Sequence, residues 1–221
     1  MPRVIACGCS NTYGHGLKDI TDNFGKMYMP LRGPSKLAWP QLLADKLGYE
    51  CVNLSMPASS NKLISYKLTD QKIEKDDVVV FLWTFLLRTC ILKEIDPSET
   101  LNERVIYLHK ASRKDESKKA AQSWVKWQAK YGTDYDLLNE NMVWVSAANR
   151  YAERFTNNVY NYSINGGELF PLQDRYSVNI IEDFGKKVYN MPKALDRSHP
   201  GEEAHQEMAN IIYNNIVKDN K

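Results

Sequence analysis

Three short apolar runs, separated by two stretches with helical spacing, restrict this chain more than any other feature of its sequence. The run Val78–Trp83 holds only β-branched, aromatic and leucine side chains, as expected for a strand buried on both faces. Val4–Cys7 and Tyr49–Leu54 are predicted to be further strands. Apolar residues recur at helical spacing over Ser35–Leu47 and from Ser59 or Ser60 to about residue 72. Strands that alternate with helices pair in parallel through right-handed crossovers, so the pattern predicts a three-layer α/β fold around a mostly parallel sheet of four or five strands.

The segment from about 91 to 156 is predicted to be a helical insertion within this fold. Its first helix ends near Gly132, and a second helix follows close to Asp134. The two are expected to form an antiparallel hairpin, with one of them serving as a crossover helix of the sheet. The first carries the aromatic stripe Trp124, Trp127 and Tyr131, which is expected to lie in the core. A lid, or the surface of a homo-oligomer, is the alternative role.

The end of the chain adds one strand and one helix. Asn158–Ile164 alternates and stops at a turn, which predicts a strand. Residues 176–181 and 187–189 are both candidates for another, and the pattern does not decide between them. A terminal helix begins after Pro200, and His205 is placed on its solvated side. The core face of that helix is formed by Ala204, Met208, Ile211, Ile212 and Ile216.

Composition narrows the classes of protein and of partner. With 221 residues the chain is expected to be a single domain over residues 1–221, and a net charge of +2 gives no broad basic field for nucleic acid. No apolar run reaches the roughly 20 residues of a membrane span, and no signal peptide precedes the first strand, so a cytoplasmic protein without membrane partners is expected. The four cysteines lack metal-site spacing and are expected to be buried thiols.

The turn after the first strand holds the residue on which the functional hypotheses depend. Ser10 follows Gly8, at the carboxyl end of a strand, where open α/β sheets bind their ligands. Its hydroxyl could be a nucleophile, or it could satisfy backbone donors at the start of a helix. The segment Ser10–Gly14 also has the glycine and hydroxyl content of a loop that surrounds a phosphate. A long irregular connection is predicted to follow over residues 17–35.

A second motif, Asp196-x-x-His199, stands before the terminal helix and can supply a base and the group that orients it. A serine near one end of a chain and Asp-x-x-His near the other resemble the SGNH (GDSL-type) hydrolases, which have a flavodoxin-like fold. Gly8-Cys9-Ser10 is similar to the family's Gly-Asp-Ser block with the middle residue changed. Asn53 and Ala58 stand where its second block has Asn and Gly. Trp83-Thr84-Phe85-Leu86 stands where the family has its third block. This altered block resembles that of bacterial and phage members of the family.

The resemblance implies a serine esterase that needs no metal or organic cofactor. It assigns Ser10 as nucleophile, His199 as base and Asp196 as the residue that orients the base. The oxyanion hole would combine the backbone N–H groups of Ser10 and Ala58 with the side chain of Thr84. Alanine replaces glycine at residue 58 without strain only if φ is negative there.

The substrate is expected to be a small-molecule or carbohydrate ester, for example an O-acetyl group on a sugar. The residues expected to bind it are Asn11, His15, Asn61 and Arg88. Asn53 and Asn61 are candidates to replace the amide donor missing at Thr84, and His15 is expected at the pocket rim. The alternatives are a flavodoxin-like phosphate- or nucleotide-binding protein and an inactive hydrolase-like interaction module. A phage-encoded protein would act in the host cytoplasm.

Overall fold

The sheet has five parallel strands, which lie side by side in the order Glu50–Asn53, Arg3–Cys7, Val78–Trp83, Val159–Ser163 and Ile180–Asp183. The computed structural model describes residues 1–22, 33–92, 105–107, 115–165 and 167–219, and most of the predicted 17–35 connection lies outside them. The five strands are β1 (Arg3–Cys7), β2 (Glu50–Asn53), β3 (Val78–Trp83), β6 (Val159–Ser163) and β7 (Ile180–Asp183). Because they are parallel, the residues that follow β1, β2 and β3 all lie at one edge. This edge carries Ser10, Ala58 and Thr84, as predicted.

Helices cover both faces of the sheet and complete the predicted three-layer α/β fold. The described helices are α1 (Ser10–Tyr13), α2 (Trp39–Leu47), α3 (Asn61–Thr69), α4 (Asp115–Tyr131), α5 (Asp134–Glu153), α6 (Gly185–Val188) and α7 (Glu202–Asp219). The sheet has a hydrophobic core on each face, and successive residues of β3 point alternately into the two cores. Val80 packs with α2 and α7, whereas Phe81 packs with α3 and α5. Every residue of β3 is buried, which explains its unbroken apolar sequence.

Residues at the helix ends determine where the helices beside the site begin and end. Pro40 lies in the first turn of α2, where its missing N–H costs nothing, and α2 ends at Gly48 with φ 70°. Ser60 caps α3 by accepting a hydrogen bond from the Leu63 N–H. The sequence predicted each of these ends to within a few residues.

The segment 91–156 differs from its prediction in two ways. Among the described residues, β4 (Cys90–Leu92) and β5 (Val105–Tyr107) form a separate antiparallel pair that was not predicted. The hairpin prediction is wrong for the described residues: α5 packs on α3 as a crossover helix, whereas α4 contacts β5.

The aromatic stripe of α4 is also not a core feature. Trp127 and Tyr131 are 50% and 60% exposed, and the Trp127 ring stacks on that of Trp124. The prediction that the stripe lies in the core is therefore wrong. Its alternative roles, as a lid or as the surface of a homo-oligomer, stay predictions.

The carboxyl-terminal region answers one open question and corrects one assignment. The fifth strand is Ile180–Asp183, and residues 185–188 form the short helix α6. The prediction that His205 is solvated is wrong, because the residue is 0% exposed and its Nδ1 accepts a hydrogen bond from the Trp39 N–H at 3.2 Å. All four cysteines are free thiols. Within the described ranges, no helix has both the length and the apolar character needed to cross a lipid bilayer.

Candidate active site

Ser10, His199 and Asp196 form a continuous hydrogen-bonded chain across 189 residues of sequence. Nε2 of His199 lies 3.0 Å from Oγ of Ser10, and Nδ1 of His199 lies 2.5 Å from Oδ2 of Asp196. With the carboxylate accepting at Nδ1, the neutral imidazole carries its proton there and presents a lone pair at Nε2. The lone pair faces the serine hydroxyl, which is the arrangement that a general base requires.

The turn that carries Asp196 and His199 is stabilised by the carboxylate itself. Oδ1 of Asp196 accepts hydrogen bonds from the N–H groups of Ser198 and His199, each at 3.1 Å. Burial raises the pKa of Asp196, but the hydrogen bonds from His199 and Ser198 outweigh it and lower the pKa to about 2. The carboxylate is therefore ionised at neutral pH and can stabilise an imidazolium at His199.

His15 packs directly on the base. Its ring stacks on the His199 ring with centroids 4.4 Å apart and an interplanar angle of 13°. Nε2 of His15 lies 3.8 Å from Oδ2 of Asp196. The His15 side chain is 27% exposed, and its predicted position at the pocket rim stays a prediction. The sequence gave no signal for the contacts of His15 with Asp196 and His199, because these join opposite ends of the chain.

Two backbone segments at the carboxyl edge carry the N–H groups that were predicted for the oxyanion hole. Ser10 is the first residue of α1, and its N–H donates to no other group among the described residues. The loop with Ala58 is tied to the Ser10 loop, because the Met56 N–H donates to the Gly8 carbonyl and Asn53 Nδ2 donates to the Thr12 carbonyl. Asn53 thus joins the two loops, and its amide is not the missing donor.

Ala58 adopts the backbone conformation that the sequence marked as unfavourable. Its φ is 67°, in the left-handed region where a Cβ crowds the backbone and glycine is preferred. The loop therefore has the conformation expected of a glycine at this position while carrying an alanine. The backbone direction is retained at a cost in strain.

Thr84 and Arg88 form a pair at the end of β3. Oγ1 of Thr84 accepts a hydrogen bond from Nη1 of Arg88 at 3.0 Å, and the Arg88 guanidinium packs over the Phe85 ring. Accepting from Arg88 leaves the hydroxyl hydrogen of Thr84 to donate elsewhere, but Thr84 is fully buried, so a ligand reaches this hydroxyl only when neighbouring side chains move. Within the described chain, Arg88 has no carboxylate partner, and its predicted role in substrate binding stays a prediction.

Asn61 does not have the substrate-binding position that was predicted for it. The residue is fully buried, its Oδ1 accepts from the Thr84 N–H, and its Nδ2 donates to the Thr84 carbonyl and to Asn141. Its amide is therefore used in holding the backbone of Thr84. The same contacts mean that Asn61 cannot replace the missing amide donor without breaking them.

Asn11 is likewise buried rather than facing a ligand. Its Nδ2 donates to the hydroxyl of Tyr189 at 3.1 Å. Burial raises the pKa of Tyr189, so the phenol stays neutral. The sequence singled out no role for Tyr189, which lies 178 residues from Asn11.

Comparison with known proteins identifies the fold. No protein-family model and no curated protein sequence matches the chain. An acetyl xylan esterase from Butyrivibrio proteoclasticus superposes with a TM-score of 0.59 at 9% identity, over 99% of this chain and 64% of its own. A carbohydrate esterase superposes with a TM-score of 0.57 at 12% identity, over 98% of this chain and 68% of its own. The extracellular lipase of Streptomyces rimosus gives a TM-score of 0.51 at 7% identity, over 98% and 100% of the two chains. The chain therefore has the α/β fold of the SGNH hydrolases.

Proposed function

We propose that this protein is a serine hydrolase that cleaves an ester through Ser10, His199 and Asp196. The observation that carries the proposal is the 3.0 Å contact between Nε2 of His199 and Oγ of Ser10, with Asp196 on the other side of the ring. A serine hydroxyl is a weak nucleophile until a base accepts its proton, and a base is effective when a third group fixes its tautomer. In the proposal, Ser10 is the nucleophile, His199 is the base and Asp196 fixes the tautomer of His199.

The reaction proceeds in two halves. Nε2 of His199 accepts the proton of Ser10 while Oγ attacks the carbonyl carbon of the ester, and Asp196 stabilises the imidazolium that forms. When the tetrahedral intermediate collapses, the C–O bond to the alcohol breaks and Nε2 returns the proton to the leaving oxygen. Water then repeats the sequence on the acyl-Ser10 ester, which releases the acid and restores the serine.

The oxyanion is held by donors from three segments of the same edge. The N–H groups of Ser10 and Ala58 are the backbone donors, and the hydroxyl of Thr84 is the side-chain donor. The hydrogen bond from Arg88 to Oγ1 of Thr84 supports the third role, because it polarises the hydroxyl and directs its hydrogen away from the guanidinium. A donor of this kind is typically worth about 2.7 to 4 kcal/mol in the transition state.

The proposed substrate is an O-acetyl group, or another short ester, on a carbohydrate. The support is the likeness of the fold to an acetyl xylan esterase and a carbohydrate esterase. Release of acetate from an acetylated sugar and from 4-nitrophenyl acetate tests the two parts of the proposal separately. Turnover of the aryl ester alone would retain the hydrolase and reject the carbohydrate substrate.

Labelling with a fluorophosphonate probe tests the nucleophile. We expect labelling of the intact protein, its loss in Ser10→Ala, and its retention in Ser123→Ala, which removes an exposed serine of α4. Absence of labelling in the wild type would favour the inactive interaction module, to which the changes at Ala58 and Thr84 also point. Binding of inorganic phosphate without labelling would favour the phosphate-binding alternative instead.

A further inference from the structure

The two histidines and the carboxylate beside Ser10 are residue types that can bind a metal ion, although the proposed reaction needs no metal. One donor atom from each of His15, Asp196 and His199 lies within 4.8 Å of the other two. Oδ2 of Asp196 is the shared point, 2.5 Å from Nδ1 of His199 and 3.8 Å from Nε2 of His15. All three side chains are partly exposed, so an ion can reach them from solvent.

We propose that His15, Asp196 and His199 bind a divalent transition ion such as Zn²⁺, and that the bound ion holds the serine hydrolase site inactive. The ligand types fit, because imidazole nitrogen and carboxylate oxygen are ordinary zinc ligands. Ligands of a tetrahedral zinc at about 2.0 to 2.2 Å lie roughly 3.4 Å from one another. To reach that value, the contact between His199 and Asp196 must lengthen and the separation between His15 and Asp196 must shorten. The His15 ring must also turn out of its stack on His199, because two parallel rings cannot direct their nitrogen lone pairs at the same ion.

Charge also favours the ion. Asp196 is ionised, and its negative charge attracts a cation. Nε2 of His15 and Nδ1 of His199 both lie near the same carboxylate oxygen, so the three ligand atoms start close together. With three protein ligands, a fourth position is left for water, and Oγ of Ser198 lies 3.0 Å from Oδ2 of Asp196 on this side.

Inactivation follows from the tautomer of His199. Coordination through Nδ1 displaces the proton that this nitrogen shares with Asp196, and the neutral imidazole then carries its proton at Nε2. A protonated Nε2 can donate to Ser10 but can no longer accept its proton, so the serine loses its base. The net protonation of the ring is unchanged, and removal of the ion restores the active tautomer. The inhibitory effect rests on the proposed function, whereas ion binding does not.

Binding is tested on the full chain after treatment with a chelating resin, using calorimetry with Zn²⁺ and the visible spectrum with Co²⁺. We expect one ion per chain with a tetrahedral Co²⁺ spectrum, and at least tenfold weaker binding in His15→Gln. His15→Glu is the matched variant: a carboxylate is a zinc ligand and the side chain has a reach similar to that of the imidazole Nε2, so binding should persist. Mg²⁺, which prefers oxygen ligands, should not compete. Equal Zn²⁺ affinity in the wild type and His15→Gln, or no binding at millimolar Zn²⁺, would overturn the proposal.

Inhibition is measured as the rate of fluorophosphonate labelling at Ser10. Zn²⁺ should slow labelling of the wild type, a chelator should restore it, and the Zn²⁺ concentration for half-inhibition should rise at least tenfold in His15→Gln. Binding without any effect on labelling would show that the ion does not block the base. If the metal-free protein is not labelled at all, the proposed hydrolase function fails while the calorimetric result on ion binding stands.

Discussion

The carbonyl oxygen of Gly16 accepts a hydrogen bond from the Leu195 N–H at 3.0 Å, which joins the loop after Ser10 to the turn of Asp196 and His199. Gly16 has φ +89°, and a Cβ there would lie 2.7 Å from Oδ1 of Asp196. The close approach therefore requires a residue without a side chain. It also means that the nucleophile loop and the base turn position each other.

Substitution of Gly16 tests this coupling. Gly16→Ala should remove most esterase activity, because its Cβ pushes the Asp196 carboxylate away from His199. Gly48→Ala is the control: Gly48 also has positive φ (+70°), but nothing lies within 4 Å of its Cβ position. Both variants should lose about 1 to 2 kcal/mol of unfolding free energy from backbone strain. The hypothesis fails if kcat falls equally in the two, as measured with 4-nitrophenyl acetate.

Ala58→Gly should stabilise the protein. The alanine has φ 67°, and relief of left-handed strain outweighs the extra freedom that glycine gives the unfolded chain, by about 0.5 to 1 kcal/mol. Urea unfolding at neutral pH measures the difference. Ala44→Gly, in the buried face of α2, should be destabilising by a similar amount or more. Destabilisation in both variants would show that Ala58 is not strained.

Thr84 is tested by a pair of variants that differ in the hydroxyl. Thr84→Val removes the donor and the acceptor for Arg88 and should lower kcat by about a hundredfold to a thousandfold, less than Ser10→Ala, because two backbone donors remain. Thr84→Ser keeps the hydroxyl and should retain most of the activity. A kcat in Thr84→Val equal to that of the wild type would exclude Thr84 from the oxyanion hole.

His205 should make stability depend on pH. Burial lowers the pKa of His205 to about 3, and repulsion from His199 adds to this effect. Above about pH 6.5, the pKa of histidine in the unfolded chain, His205 is neutral in both the folded and the unfolded state, so the protein has its full stability. As pH falls below it, only the unfolded chain takes up the proton, and the unfolding free energy drops by about 1.4 kcal/mol per pH unit toward pH 3.

His205→Asn isolates this contribution. The asparagine can retain an acceptor for the Trp39 N–H but does not titrate. The difference between the two proteins in the slope of unfolding free energy against pH therefore comes from His205. Urea unfolding between pH 5 and pH 8 gives both slopes. Identical slopes would show that His205 is accessible to protons in the folded state.

The parts of the fold that the sequence predicted well are those in which one face or both faces are buried. Val78–Trp83 was predicted to the residue, because an unbroken apolar run has few other interpretations. Strands of three residues, such as Cys90–Leu92, are too short to show a period. The aromatic stripe shows a different limit: helical spacing tells which side chains share a face, but not whether another element covers that face.

In the site, too, contacts between residues close in sequence were predictable and contacts between distant residues were not. Asp196 and His199 are three residues apart, so their contact could be predicted from the turn alone. Asn11 and Asn61 were chosen for their chemistry, yet their amides bind Tyr189 and Thr84, partners that only the tertiary structure brings near. His205 was misplaced because it lies at the flank of the apolar face, where the amino end of α2 covers it.

The last prediction concerns the dependence of Ser10, His199 and Asp196 on one another. His199→Ala should lower kcat about as much as Ser10→Ala, and the double variant should lose little more, because residues that act as one unit are not additive. Asp196→Asn keeps the shape of the side chain but can hold the imidazole of His199 in the wrong tautomer. The equivalent substitution lowers kcat by about 10⁴-fold in a serine protease. We expect a smaller loss here, since the backbone carbonyl of His199 still accepts from the Ala194 N–H and helps to hold the turn. Additive losses would show that Ser10 and His199 do not act as one unit. Full activity in His199→Ala together with loss of activity in His15→Ala would identify His15 as the base.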